Sequence, residues 1–369
     1  MTGPQGAGVM GVGVIGAGVI SDKYLTSLTS FPDLRVLAVA DLDTARAAAQ
    51  AAKYGVPSSG AVADLLADPA IELVVNLTVP TAHVDVGLAA LESGKHVWAE
   101  KPLAMDRQTG RKLLDRARER GLRVASAPDT VLGAALQTAR RAIDSGVIGV
   151  PLSALALLQT PGPEDWHPSP EFLFQPGAGP LLDMGPYYLT ELVQLLGPVH
   201  RVTGLGGRAR DRRVIGSGPK AGVEFPVDVL TTVNALIEFE RGGFAQAVFS
   251  FDSGVRRFLI EVTGPGGTVA VPDPNQFTGD TVLHLRGAAP ETLAAQGPVT
   301  ERGTGALELA RAIRAGVPER ASGEMAYHVL DAMLAIEESI AAGHPVEIAS
   351  TVEVPPALPA DWDPFAATL

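Results

Sequence analysis

Short apolar segments alternate with helical segments over the first third of the chain. The candidate strands are short, apolar and bounded by turn residues, and they lie at 12–15, 36–40, 73–77, 96–99 and 123–126. Candidate helices at 44–53, 82–92 and 109–120 each end close to a glycine, the usual residue just past a helix C-terminus. This alternation predicts βαβ units in a doubly wound parallel sheet.

The pattern changes after about residue 127. Helices are predicted at 134–144 and 187–196, with a strand at 152–159 and a proline-rich loop at 161–180 between them. Segments that alternate with a period of two follow at 227–239, 244–251, 258–262, 268–271 and 282–285, before helices at 306–315 and 323–342. This half therefore predicts a large, open, mostly antiparallel sheet with helices on one face. We expect an α/β domain over 1–127, an α+β domain over 128–349 and an extended tail over 350–369.

Composition agrees with two domains and excludes several kinds of function. The 369 residues are 46% apolar, and chains longer than roughly 250–300 residues usually divide into domains. With 29 Lys and Arg against 41 Asp and Glu, the net charge is −12, which disfavours nucleic acid and anionic membranes as partners. Because cysteine is absent, disulfides, thiolate nucleophiles and Cys-containing zinc sites are excluded.

The start of the chain shows no targeting signal. Residues 1–8 carry no positive charge, and the glycine-rich apolar run 9–20 is shorter than the about 20 residues that a membrane span needs. We therefore expect a cytoplasmic protein with no membrane partner.

A glycine-rich segment follows the first predicted strand. It reads Gly16-Ala17-Gly18-Val19-Ile20-Ser21, which is the G-x-G-x-x-G dinucleotide fingerprint of Rossmann domains with Ser in the third place. Gly16 allows the tight turn and Gly18 lets a pyrophosphate approach the backbone, while Val19 and Ile20 lead into a helix whose N-terminus favours an anion. A purely structural glycine turn is the alternative interpretation.

Asp41 ends the second predicted strand. It lies 23 residues after Gly18, close to the spacing of about 20 expected for the carboxylate that binds the adenosine ribose. Since a carboxylate repels a 2′-phosphate, NAD is expected as the cofactor rather than NADP. In the alternative interpretation Asp41 only caps the following helix, a role that Asp43 fills equally well.

Polar residues also end the next two predicted strands. Thr78, Pro80 and His83 are placed to line a nicotinamide pocket, or else they form a helix entry with Thr81 as its N-cap. Glu100 and Lys101 come at the end of the following strand, where the Lys101 amine can move or stabilise a substrate proton. Taken alone, Lys101 is equally typical of a surface turn.

Together these motifs resemble the oxidoreductases named after glucose-fructose oxidoreductase and inositol dehydrogenase (Gfo/Idh/MocA). The resemblance extends from residue 10 to the end and includes Gly94-Lys95-His96-Val97, Glu100-Lys101-Pro102 and the segment 179–187. It implies that Lys101 is the catalytic lysine, that Asp183 orients the substrate and that Tyr187 occupies a position that is often the His acid/base. Tyr187 and Thr190 depart from the inositol-dehydrogenase pattern and indicate a Tyr-type sugar site.

Three further residues are candidates for contact with a substrate. Asp129 lies in the segment that joins the two predicted domains, and Trp166 and His167 lie in the proline-rich loop. Sugar hydroxyls need hydrogen-bonding partners, and aromatic rings and carboxylates are suitable neighbours. A loop that packs its Trp on the domain is the alternative. The remaining histidines show no metal-ligand spacing, so we expect no metal.

The resulting expectation is an NAD(H)-dependent enzyme that transfers hydride to or from a secondary hydroxyl or ketone of a sugar, sugar derivative or cyclitol. Two alternatives remain: a redox-neutral reaction that uses tightly bound NAD, and a non-catalytic sugar- or dinucleotide-binding protein. The resemblance also implies a homodimer or homotetramer that packs through the C-terminal sheets.

Overall fold

The computed structural model describes residues 8–369, so the charge argument made for the start of the chain falls largely outside the described residues. These residues form two compact units. The first comprises residues up to 137, 296–327 and 355–369, and the second comprises 138–295 and 328–354.

The first unit is built on a six-stranded parallel sheet. Its strands are β1 (Met10–Ile15), β2 (Leu34–Ala40), β3 (Ser58–Gly60), β4 (Leu73–Asn76), β5 (His96–Ala99) and β6 (Val124–Ser126). They are hydrogen-bonded in the order β3-β2-β1-β4-β5-β6, the strand order of the Rossmann fold. Because β1 and β4 are neighbours, the order reverses between them, and ligands of such sheets bind outside the carboxyl ends at this point.

Helices connect these strands. They are α1 (Ser21–Leu28), α2 (Thr44–Tyr54), α3 (Val62–Ala67), α4 (His83–Glu92) and α5 (Arg107–Arg120), and α6 (Ala134–Asp144) follows β6. Asp43 and Asp106 cap α2 and α5 through their side chains, and Gly55 and Gly121 end the same helices in the left-handed conformation. These caps explain why the sequence signals for these helices are accurate.

The second unit is built on a nine-stranded sheet. Its strands are β7 (Ser153–Gln159), β8 (Val199–Gly207), β11 (Thr232–Phe239), β12 (Phe244–Ser250), β13 (Arg257–Gly264), β14 (Gly267–Val271), β15 (Thr281–Leu285), β16 (Glu291–Leu293) and β17 (Val346–Glu347), and β9 (Arg212–Val214) with β10 (Glu224–Pro226) forms a separate hairpin. The order is β16-β15-β14-β13-β7-β12-β11-β8-β17, and β7 with β12 is its parallel pair. The predicted fold class, a parallel α/β domain and a mostly antiparallel α+β domain, is confirmed.

Two helices cover one face of this sheet. They are α7 (Gly179–Leu196), which packs on the central strands, and α9 (Gly323–Ala342), which enters the second unit at residue 328. The close approach of α9 to β8 depends on Gly204, where a Cβ would lie 2.7 Å from the Ile336 carbonyl oxygen. Strand residues that point to this face are small or apolar and are buried.

The compact units differ from the contiguous division expected from the sequence. Residues 296–327 contain α8 (Thr304–Ala315) and return to the first unit. In α8, Gly305 lies directly against the Trp98 ring of β5, since a Cβ there would be 2.0 Å from a ring carbon. The tail 355–369 also returns, and Asp33 accepts hydrogen bonds from the backbone N–H groups of Thr368 and Leu369. Buried contacts, rather than chain order, define the units.

Several element boundaries also differ from the predictions. The helix predicted to begin at residue 187 begins at Gly179, with Pro180 in its first turn and Pro186 in its interior. Six short or polar strands have no predicted counterpart: β3, β8, β9, β10, β16 and β17. Within residues 8–369, no helix is long and apolar enough to cross a membrane, and no three His, Asp or Glu side chains are arranged to hold a metal ion.

Candidate active site

The predicted cofactor residues lie at the carboxyl ends of neighbouring strands of the first unit. Gly16 follows β1, Asp41 follows β2, Thr78 lies two residues after β4, and Glu100 with Lys101 follows β5. Because parallel strands end at the same edge of a sheet, these residues share that edge. The arrangement includes the β1/β4 point at which the strand order reverses.

The glycine segment forms a tight turn between β1 and α1. Gly16 has φ 106°, and a Cβ there would lie 2.6 Å from the Leu77 carbonyl, so only glycine fits. A Cβ on Gly18 would meet no atom within 4 Å, which leaves the backbone at this position open. Ser21, in the third fingerprint position, donates its hydroxyl to the Gly18 carbonyl at 2.6 Å and begins α1. The turn thus leaves space beside a helix N-terminus, as an anionic group requires.

Asp41 is tied to the glycine segment. Its carboxylate accepts hydrogen bonds from the backbone N–H groups of Ala17 at 2.7 Å and Asp43 at 2.9 Å, and it pairs with Arg46 at 2.9 Å. Partial burial raises the pKa of Asp41, but these hydrogen bonds outweigh burial, so the pKa lies below its usual value. Asp43, and not Asp41, caps α2. Asp41 therefore presents a charged carboxylate at the end of β2.

Three apolar side chains at this edge are strongly exposed. Val19 is 93% exposed, Leu42 99% and Val79 64%, and they follow β1, β2 and β4 respectively. Exposed apolar groups around a polar site are typical of surfaces that a ligand covers. Of the three, only Val19 was predicted from the sequence. Leu42 and Val79 could have been found as apolar residues that lie just past a strand end, outside the periodic pattern.

His83 is buried instead of facing a cofactor. It is 1% exposed, with Nδ1 2.7 Å from the Pro102 carbonyl oxygen and Nε2 3.0 Å from the Thr78 carbonyl oxygen. Its predicted contact with the cofactor is therefore corrected, because the ring is buried and each ring nitrogen faces a backbone carbonyl oxygen. Pro80 is exposed and begins a short 3-10 turn, Pro80–Ala82. Thr81 caps neither this turn nor α4.

Glu100 supports the backbone next to Lys101. One carboxylate oxygen accepts a hydrogen bond from the Tyr24 hydroxyl at 2.7 Å, and the other accepts one from the Lys101 N–H at 3.0 Å. Burial and the Glu100 charge raise the pKa of Tyr24 well above its usual value, so its hydroxyl remains a donor. Trp98 donates to the same hydroxyl at 3.3 Å. Tyr24 lies on α1, so this network links the glycine turn to Lys101.

Asp129 is fully buried. Its Oδ2 accepts hydrogen bonds from the N–H groups of Gly303 at 2.8 Å and Gly305 at 3.2 Å, and its Oδ1 lies 3.4 Å from Arg302. Burial raises the pKa of Asp129, and the cation and the N–H donors offset this only in part. Asp129 therefore caps the N-terminus of α8, which corrects the prediction that it contacts substrate.

Asp183 and Tyr187 lie on one face of α7. They are four residues apart, the spacing that brings side chains together on a helix. Between them, Gly185 allows close packing of α7 on α9, because a Cβ there would lie 2.9 Å from the Met333 sulfur. Both adjacent tyrosines are buried: Tyr187 is 7% exposed, and Tyr188 is fully buried with its ring edge-to-face on Phe249 at 5.8 Å.

Trp166 and His167 lie on an exposed part of the proline-rich loop. Trp166 is 61% exposed, and its ring packs edge-on against His167 at 5.5 Å. The loop is anchored beneath them by Arg213, which is buried and pairs with both Glu164 and Asp252. The two rings therefore stand on a supported loop instead of packing into the core.

Two family models match the chain. Residues 10–127 match the model described as "Oxidoreductase family, NAD-binding Rossmann fold", and residues 136–270 match the C-terminal domain of the same family. The fold and the strand-end residues thus define an oxidoreductase with an NAD-binding Rossmann domain. The chain belongs to the Gfo/Idh/MocA family.

Curated relatives match parts of the chain. A dTDP-3,4-didehydro-2,6-dideoxy-α-D-glucose 3-reductase from Streptomyces antibioticus is 35% identical over 52% of this chain and 58% of its own length. A 1,5-anhydro-D-fructose reductase from Ensifer adhaerens is 35% identical over 32% of this chain and 36% of its own. The chain therefore spans about half or less of the length of these two relatives.

A solved structure matches over nearly the whole chain. Levoglucosan dehydrogenase in complex with NADH and L-sorbose superposes with a TM-score of 0.81, covering 93% of this chain and all of that chain at 21% identity. At this identity the likeness establishes the fold.

Proposed function

We propose that this protein is an NAD(H)-dependent oxidoreductase that acts on a secondary hydroxyl or ketone of a sugar, sugar derivative or cyclitol. The single observation that carries the proposal is the Glu100-Lys101 segment at the end of β5, on the same sheet edge as the glycine turn and Asp41. Lys101 therefore lies at the edge at which Rossmann sheets bind their cofactor. The two curated relatives named above, both reductases of sugar derivatives, support the substrate class.

The residues of the first unit fit a dinucleotide. The open backbone at Gly18 and the N-terminus of α1 suit a pyrophosphate, Val19 and Ile20 border it, and the Asp41 carboxylate suits ribose hydroxyls. A charged carboxylate at this position favours NAD over NADP. When bound, the cofactor supplies the acceptor or donor of a hydride.

The chain's own side chains hold the proton that leaves or joins the substrate oxygen. In this proposal Lys101 hydrogen-bonds the hydroxyl or ketone oxygen and stabilises charge there, and Tyr187 relays the proton. Asp183, one helical turn before Tyr187, accepts hydrogen bonds from the substrate and fixes its orientation. Thr78 and Pro80 border the cofactor at the end of β4.

Trp166 and His167 are proposed to contact the substrate. An exposed indole offers an apolar face to a sugar ring, and an imidazole offers hydrogen bonds to hydroxyls. The anchoring of their loop by Arg213 supports this role, because a rigid contact loses less entropy on binding than a mobile one.

The open face of the second sheet supports assembly into a homodimer or homotetramer. A row of neighbouring residues crosses five strands on this face: Leu205, Asn234, Val248, Leu157 and Leu259. Leu236, in the adjacent row on β11, is 56% exposed. Exposed apolar side chains grouped on one face are typical of surfaces that another molecule covers.

A substrate screen tests the proposed function. The wild-type protein is incubated with NAD or NADP and a panel of pyranoses, glycosides and inositols, and reduced nicotinamide is followed by its absorbance. We expect steady formation of NADH with at least one sugar and a lower rate with NADP. If a sugar is converted without net NADH formation, the reaction is redox-neutral and the proposal is wrong in its reaction type; binding without conversion indicates a non-catalytic protein.

A further inference from the structure

We infer that His83 is a positioning residue that holds the Lys101 backbone in place. The inference rests on the proposed function, because it assumes that Lys101 touches the reacting oxygen. This role does not require His83 to contact the cofactor or the substrate. The role is to join the loop after β4 to the loop after β5.

The His83 ring bridges these two loops directly. Nδ1 lies 2.7 Å from the carbonyl oxygen of Pro102, the residue after Lys101, and Nε2 lies 3.0 Å from the carbonyl oxygen of Thr78. A neutral imidazole donates through one nitrogen only, and the shorter contact is the one beside Lys101. With the ring 1% exposed, water does not compete effectively for these carbonyls.

His83 is itself held by the strand that precedes it. Asn76, the last residue of β4, donates its side-chain amide to the His83 carbonyl at 3.0 Å. The Asn76 side-chain oxygen accepts hydrogen bonds from the hydroxyl of Thr78 at 2.7 Å and from its N–H at 3.3 Å. A rigid strand end therefore sets the position of the ring.

Lys101 is held from its other side by Glu100. The Lys101 N–H donates to Glu100, whose second oxygen is bound by Tyr24 on α1. The backbone around Lys101 is thus anchored at the Lys101 N–H and at the Pro102 carbonyl. Removal of the His83 anchor releases one of the two points, and misplacement of a catalytic group by about 1 Å can lower the rate about 100-fold.

Three substitutions separate the two contacts of the ring. His83→Ala removes both, His83→Asn places an amide near the position of Nδ1 and can still donate to Pro102, and His83→Gln places one near Nε2 and can still donate to Thr78. We expect kcat to fall about 10- to 100-fold in His83→Ala, to recover largely in His83→Asn and to recover little in His83→Gln, with the NAD dissociation constant unchanged. His96→Asn, at the opposite end of β5, is the matched control and should retain wild-type kcat.

A double-mutant cycle with Lys101→Ala identifies the path of the effect. If His83 acts through Lys101, then His83→Ala causes no further loss of single-turnover rate in the Lys101→Ala background. Equal losses in both backgrounds, or a loss of NAD affinity in His83→Ala, would overturn the inference.

A readout without substrate keeps this test separate from the proposed function. Hydrogen exchange of the segment 100–104, measured by mass spectrometry, should be faster in His83→Ala and His83→Gln than in wild type, but not in His83→Asn or His96→Asn. Failure of every sugar in the screen refutes the proposed function and leaves this measurement intact. Unchanged exchange in His83→Ala refutes the positioning role.

Discussion

At the end of β2, the largely buried carboxylate of Asp41 forms an ion pair with the exposed guanidinium of Arg46. In Rossmann domains a carboxylate at this place binds ribose hydroxyls, whereas a nearby arginine accommodates a 2′-phosphate. This pair contains both groups. The carboxylate is the one bound to the glycine segment, because it accepts a hydrogen bond from the Ala17 N–H. Cofactor choice therefore depends on whether Arg46 is engaged by Asp41.

We predict that Asp41→Ser reverses this choice. Loss of the carboxylate weakens NAD binding by about tenfold or more, since a hydrogen bond to a charged group contributes about 1.5–3 kcal/mol, and it frees Arg46 for NADP. Dissociation constants for NADH and NADPH, measured by nicotinamide fluorescence, check the change. The double variant Asp41→Ser/Arg46→Ala should lose the gain for NADPH, and Asp43→Ser, which affects only the α2 cap, should keep the wild-type preference. A wild-type preference in Asp41→Ser would contradict the assignment.

Single residues were predicted best where their chemistry and their strand end coincided. Gly16 and Asp41 lie where the fingerprint predicts, because each directly follows an apolar strand whose end the sequence pattern marks. Asp129 and His83 were predicted to bind ligands, yet both are buried. Asp129 accepts a hydrogen bond from Gly303, which is distant in sequence, and His83 contacts a carbonyl group of a neighbouring loop. The composition of a segment cannot distinguish such buried polar residues from exposed ones.

At the scale of elements, the accurate predictions have strong local signals. The helices α2 and α5 have Asp caps and C-terminal glycines, and α6 and α9 were predicted with their observed bounds. The start of α7 was missed because two prolines resemble breaks, although Pro180 occupies a position in the first turn where no N–H is needed. The strand β3 is short and polar, and it forms only because it pairs with β2.

The exposed face of the nine-stranded sheet carries the prediction about assembly. Replacement of Leu236 by Glu places a charge among the apolar side chains of this face, which costs little in a monomer but is unfavourable in an interface. We expect sedimentation equilibrium to give a dimer or tetramer for the wild type and a smaller species for Leu236→Glu. Val299→Glu, an exposed apolar position in the first unit, should leave the mass unchanged. A monomeric wild type would contradict the proposed assembly.

At the scale of the whole molecule, the net charge of −12 requires an explanation for the binding of an anionic dinucleotide. The N-terminus of α1 and the open backbone at Gly18 supply N–H donors, so a basic surface is unnecessary. The discontinuous units follow from long-range packing, such as Gly305 on Trp98, and no local pattern in the sequence predicts them.

The central claim is that Lys101 serves the chemical step and not the binding of the cofactor. The most direct test compares wild type with Lys101→Ala in single-turnover reduction of NAD by a sugar identified in the screen, alongside the NADH dissociation constant. The account predicts a loss of turnover of about 100-fold or more, because acid–base groups contribute about 100- to 10,000-fold, with cofactor affinity retained. A Lys101→Ala variant that turns over at the wild-type rate would contradict the account.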